Sequence, residues 1–125
     1  MKNINVVTWF EIPVEDMERA KAFYTEVMQT SFKDEEMEGM KMSIFEADQQ
    51  AAGGMLIKAE GYEPSRTGAV IYLNGGDDLS APLARAVTSG GEVLWPKTAI
   101  QDGEFGYFAQ FLDSEGNRVG LYSMS

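Results

Sequence analysis

From Asn3 to Ile12 apolar and polar residues alternate, placing Ile4, Val6, Phe10 and Ile12 on one face with Thr8 as its polar member, and Val7, Trp9 and Glu11 on the other. Apolar bulk on both faces predicts a strand buried on two sides, with a helix layer behind Ile12 and an interior cavity in front of Trp9 and Glu11. Pro13 cannot donate to a ladder and ends the strand. Asp16 offers an N-cap, and Met17, Ala20, Phe23, Tyr24, Val27 and Met28 then recur at helical spacing, with Glu18, Lys21 and Glu26 on the polar side. The helix stops between Gln29 and Ser31 without a glycine, so a left-handed cap there costs about 1 kcal/mol more than with one.

The segment Lys33 to Gly39, KDEEMEG, reads as a charged turn region with room for a short strand around Phe32. Met40 to Ala47 resumes an extended pattern, Asp48 to Gln50 turn, and Ala52 to Lys58 is an apolar strand entered through Gly53-Gly54. Glu60 to Gly68, EGYEPSRTG, has the composition of a linker and sets the module boundaries at 1–60 and 67–125, joined by 61–66.

Beyond it the order repeats. Ala69 to Leu73 is a strand, Asn74-Gly75-Gly76 a turn, Asp77 or Asp78 a cap, and Leu79, Leu83, Ala86 and Val87 a helical stripe stopped by Gly90-Gly91. Pro82 falls in the first turn of this helix, where it is tolerated. Glu92 to Trp95, Gly106 to Leu112 and Arg118 to Ser123 are three more strands, with Pro96 to Gly103 as a loop and DSEGN, Asp113 to Asn117, as a hairpin turn. Each half is strand, helix, three strands. Aligning Asp16 with Asp78 sets Trp9 opposite Ile71 and Phe10 opposite Tyr72; aligning Asp48 with Asp113 sets Met55 opposite Gly120.

Composition narrows the chemistry. At 125 residues with 44% hydrophobic content, one domain is expected, burying roughly 65% of its unfolded surface. There is no cysteine and no histidine, which removes disulfides, thiol nucleophiles, thiolate zinc sites and imidazole ligands. Twenty acidic against ten basic residues give a net charge of -10, so neither nucleic acid nor anionic lipid is an expected partner. No leader pattern or apolar span is evident, and the expected location is cytoplasmic. The glycine pairs lack the spacing and following lysine of phosphate-binding loops, and the eight methionines read as gap fillers.

Three pieces, WFEIPVEDMERAKAFYTEVM, GGDDLSAPLARAVTSGGEVL and GYFAQFLDSEGNRVGLYS, resemble in this order the vicinal oxygen chelate superfamily of glyoxalase I, bleomycin-resistance proteins and extradiol dioxygenases. The resemblance covers essentially the whole chain and implies an α+β fold. Two βαβββ modules would form a curled mixed sheet around a cavity, commonly as a homodimer. Metal-binding members take ligands from the first and last strands of each module. Those positions fall here on Trp9, Met55 or a near neighbour, Ile71 and Gly120, none of which is such a ligand, so neither a metal nor any other cofactor is expected. An all-carboxylate site from Glu11, Glu46, Glu104 and Glu115 is conceivable for a hard cation, but the last three lie at turns or strand ends and read as solvated.

Glu11 is the polar exception on the cavity face. One reading makes it the general base of a lyase or isomerase, abstracting a proton beside a carbonyl while a tyrosine or backbone N–H stabilises the enolate. The other pairs it structurally with Arg19 or Arg118. Trp9, Trp95, Tyr107, Phe108, Phe111 and Tyr122 crowd the strands and either wall a ligand cavity or build the core, whereas Tyr72 is assigned to the core behind the helix. The leading expectation is a metal-free pocket for a small apolar or aromatic molecule, contacted by Trp9, Glu11, Met55, Ile71, Trp95, Tyr107, Phe111, Gly120 and Tyr122. A cavity filled by Trp9 and Trp95 is the remaining reading.

Overall fold

The computed structural model describes residues 5–125. The first half contributes β1 (Trp9–Pro13), α1 (Met17–Met28), β2 (Phe32–Met37), β3 (Met40–Phe45) and β4 (Gly53–Lys58). The second contributes β5 (Tyr72–Asn74), α2 (Ser80–Thr88), β6 (Glu92–Ala99), β7 (Tyr107–Leu112) and β8 (Arg118–Ser123), with a short 3-10 turn at Gln101–Gly103. Each half makes one mixed four-stranded sheet, ordered β1-β4-β3-β2 and β5-β8-β7-β6, in which the first strand runs parallel to the last. This is the expected α+β arrangement of paired βαβββ units, with sheets curled but not closed.

The helices cover one face of the sheets. Phe10 and Ile12 of β1, Leu56 of β4, Ala109 and Phe111 of β7, and Val119 and Leu121 of β8 meet Ala20, Phe23, Tyr24 and Val27 of α1 in a single core that draws on both halves. Asp16 caps α1 by accepting from the Arg19 amide at 3.1 Å, and Gln29 closes it in the left-handed region at φ 51°. Arg85 of α2 donates from Nε and Nη2 to the Val27 carbonyl, at 3.1 and 2.9 Å, and so satisfies the end of α1.

The DSEGN turn is the buried polar junction of the two halves. Asp113 accepts the Tyr24 hydroxyl at 2.6 Å, together with the amides of Glu115 and Asn117. Asn117 donates to the Pro13 carbonyl at 2.8 Å and accepts from the Ser65 amide at 3.0 Å. Strand end, first helix and linker thus meet on one five-residue turn.

Several expectations need correction. The first strand starts at Trp9, not Asn3: Val6 is 98% exposed, Val7 is also exposed, and Ile4 lies outside the described residues. The charged stretch after Phe32 is strand β2 rather than a turn, because an edge strand has one ladder partner and can give its side chains to water; Asp34 there binds Lys21 at 2.7 Å and Ser43 at 2.7 Å. β6 runs on through Pro96, where register shifts between Trp95 and Thr98 free the proline from a ladder bond.

The largest correction concerns β5. Leu73 is buried and Ile71 packs against the core, so Tyr72 points to the open face. The connection from β1 to α1 takes three residues and that from β5 to α2 takes five. Matching Asp16 with Asp78 shifted the strand phase by one residue, because the second helix is capped at Leu79 and not at Asp78, and an odd shift exchanges the two faces.

Candidate functional site

The face of each sheet away from the helices carries the site residues. On the first sheet Trp9 and Glu11 lie opposite Gly53 and Met55 in the β1–β4 register. Trp9 is 44% exposed, its ring reaching over Gly53, and Met55 is buried. Glu11 is half-buried, and its carboxylate, near the Tyr62 hydroxyl, raises the Tyr62 pKa. Neither expected arginine reaches Glu11: Arg19 is bound to Glu115, and Arg118 donates to Gln110 and to the Arg66 carbonyl.

On the second sheet Tyr72 faces Gly120 in the β5–β8 register. A Cβ at Gly120 would stand 2.4 Å from the tyrosine ring, so glycine is what lets the ring lie flat on the sheet. Phe108 meets Tyr72 edge-on at 6.4 Å between centroids, and Trp95, 49% exposed, tilts against Phe108 at 5.5 Å. Tyr72, Phe108, Tyr122 and Ile100 line an open apolar hollow of about 350 Å³. Ile100 is positioned by the strap that follows β6, where its amide binds the Gly106 carbonyl at 2.9 Å and Gln101, Asp102 and Gly103 turn at φ 52°, 57° and 93°. Tyr122 ties down the other end of the strap by donating to the Phe105 carbonyl at 2.6 Å.

Behind the hollow runs a polar relay. Arg118 Nη1 donates to Gln110 Oε1 at 2.7 Å, and Gln110 Nε2 donates to the Tyr72 hydroxyl at 2.7 Å. A second depression, of about 670 Å³, adjoins the hollow through Tyr72 and Tyr122 and extends along Asn74 and Ser123 to Ser125. A third, of about 590 Å³, is lined by Glu15, Glu18, Glu35 and Glu36 with Lys41 and Lys58. Its charged rim does not suit an organic ligand, which is held by apolar walls and a few polar groups.

The other expected contacts divide by pleat. Phe111 is fully buried against Phe23, and Tyr107 packs on the core with the Lys97 ammonium 4.6 Å over its ring, so both face the helices and are corrected to structural roles. Ile71 is corrected likewise. Trp95, Gly120 and Tyr122 are brought together around the hollow, joined by Tyr72, which the cap-based alignment had turned inward. Trp9, Glu11 and Met55 cluster on the first sheet and do not line this hollow. The buried alternation of Val119 and Leu121 about Gly120 was the signal that could have set Tyr72 on the open face.

The residues at the expected metal positions do not fit a divalent ion. An indole N–H at Trp9, a thioether at Met55, an alkyl chain at Ile71 and a ring-covered glycine at Gly120 present no oxygen or imidazole nitrogen lone pair. Among the described residues no group of three or more carboxylates is placed to hold a metal. Glu115, read above as solvated, is instead fully shielded: it accepts two bonds from Arg19, the amides of Glu15 and Asp16, and the Ser114 hydroxyl. Burial pushes its pKa up, but the Arg19 bond and these other donors hold it down at about 2.

A family model described as the Glyoxalase/Bleomycin resistance protein/Dioxygenase superfamily matches residues 6–121. TnmS3, an antibiotic binding protein from Streptomyces sp. CB03234, is 26% identical at a TM-score of 0.64, with 100% of each chain covered. A glyoxalase/bleomycin resistance protein from the same organism is 28% identical at 0.64, covering 94% of this chain and 99% of that one. A variant of glyoxalase I from Zea mays gives 0.68 at 16% identity, covering 93% of this chain but only 45% of that chain. No curated protein matches by sequence. No helix among the described residues is long and apolar enough to cross a membrane.

Proposed function

The chain belongs to the glyoxalase/bleomycin resistance protein/dioxygenase superfamily, and from that premise we propose that it binds a small, flat, apolar or aromatic molecule without a divalent metal. The observation that carries this reading is the hollow of Tyr72, Phe108, Tyr122 and Ile100: apolar walls, rings on three sides, and a volume suited to a bicyclic compound. The antibiotic binding activity named for TnmS3 supports it. Trp9, Trp95, Phe105 and Tyr122 leave large apolar surfaces in water on one chain, and a homodimer that covers them belongs to the same reading. The lyase or isomerase reading has no comparable support, since Glu11 lies outside the hollow.

Equilibrium dialysis against 2-ethylnaphthalene tests this. Saturable binding near one equivalent per chain is expected. Phe108→Ala removes the central ring and should weaken binding at least about tenfold while leaving the circular dichroism unchanged. Binding that is absent, or indifferent to Phe108→Ala, would overturn the reading.

A further inference from the structure

The hollow has two polar side-chain groups, the hydroxyls of Tyr72 and Tyr122, and they are not equivalent. Tyr122 directs its proton to the Phe105 carbonyl at 2.6 Å. Tyr72 is held the other way round. Arg118 can only donate, so its 2.7 Å bond sets Oε1 of Gln110 toward the guanidinium and the amide nitrogen toward Tyr72. The Tyr72 oxygen therefore accepts, and among the described residues its own proton has no acceptor. A cationic donor at the head of the relay polarises the amide and, through it, the phenol, making Tyr72 a stronger donor.

We propose, building on the binding reading above, that Tyr72 is the specificity-determining donor of the hollow and that the ligand is a flat apolar molecule bearing a neutral carbonyl-type acceptor on its rim. An apolar pocket with one available donor selects an acceptor by position and holds a hydrocarbon of the same shape less tightly, because the hydrocarbon covers that donor without pairing it. The acceptor is neutral because the nearest cation is turned away: Arg118 gives Nη1 to Gln110 and Nε to the Arg66 carbonyl, and the chain as a whole carries a net charge of -10. Gln110 and Arg118 are positioning residues, acting only through the Tyr72 hydroxyl.

The test compares 2-acetylnaphthalene with 2-ethylnaphthalene, a pair alike in shape but differing in one carbonyl, by equilibrium dialysis. The native chain should bind the ketone about fivefold or more tightly than the hydrocarbon. Tyr72→Phe keeps the ring and should abolish that preference, in part by raising 2-ethylnaphthalene affinity, since no donor is then covered without a partner. Gln110→Glu offers the phenol an acceptor that captures its proton, and should likewise erase the preference with the aromatic walls intact. Equal binding of both probes by the native chain, or a preference that survives both substitutions, overturns this inference and leaves the binding reading standing. Failure of 2-ethylnaphthalene to bind the native chain overturns both.

Discussion

Glu115, at the centre of the last hairpin turn, holds Arg19 of the first helix through two bonds, Nε at 2.7 Å and Nη2 at 3.0 Å, across 96 residues of sequence. The same carboxylate accepts the Glu15 and Asp16 amides at 2.9 Å each, so one side chain both pairs a cation and caps the approach to α1.

That pairing makes acid stability a direct measure of the junction. The Glu115 pKa in the folded chain is about 2, below its ordinary 4.5, so its contribution is complete above 4.5 and is lost as pH falls toward 2. Because Arg19 is half exposed, screening reduces that contribution to about 1–2 kcal/mol. Urea unfolding at pH 7 and pH 3 should show Glu115 accounting for a loss of somewhat more than half this amount, the rest going between pH 3 and 2, and Glu115→Gln should shrink the difference accordingly while lowering stability at pH 7.

Tyr24→Phe should destabilise the chain by about 1–3 kcal/mol, because it leaves the buried Asp113 carboxylate one donor short. The urea midpoint reports the loss. Affinity for 2-ethylnaphthalene should not change, since Tyr24 lies on the helix side of the sheets.

Two glycine substitutions should separate site from scaffold. Gly120→Ala puts a methyl 2.4 Å from the Tyr72 ring, which can swing into solvent at small cost in stability but with loss of its Gln110 bond and of one wall of the hollow. Probe binding should fall at least about fivefold with a melting temperature within a few degrees. Gly75→Ala instead meets the Tyr122 carbonyl at 2.8 Å and the Leu79 Cβ at 2.7 Å, where backbone must move, and should cost about 1–3 kcal/mol.

Metal independence is directly measurable. Protein purified without chelator should carry less than about 0.1 equivalent of zinc, nickel, iron or manganese by elemental analysis, and EDTA should shift neither melting temperature nor probe affinity, given the donor set at Trp9, Met55, Ile71 and Gly120. A stoichiometric metal removed by EDTA with loss of binding would contradict this.

Much of the fold was legible because its signals are local. Asp16 capping a helix with Met17, Ala20, Tyr24 and Val27 on one stripe, and the repeated order of elements, each arise from signals within a few residues of chain. The absence of histidine and cysteine was equally decisive, since no packing can supply a missing ligand type. Short of that were β2, whose charges suit an edge strand as well as a turn, and β6, whose irregular register accommodates Pro96.

What the tertiary structure decided was phase and partnership. A strand alternates with period two, so placing the second helix cap one residue early, at Asp78 where the structure has Leu79, was enough to reverse Ile71 and Tyr72. Long-range partners were beyond reach for a related reason: only packing shows that Arg19 belongs to Glu115. Sequence by itself determined the elements, their order and the loss of the metal donors. The orientation of Tyr72, flat on Gly120 with its proton left available, was decided by how β5, β7 and β8 come together, because register is a property of paired strands and not of any one of them.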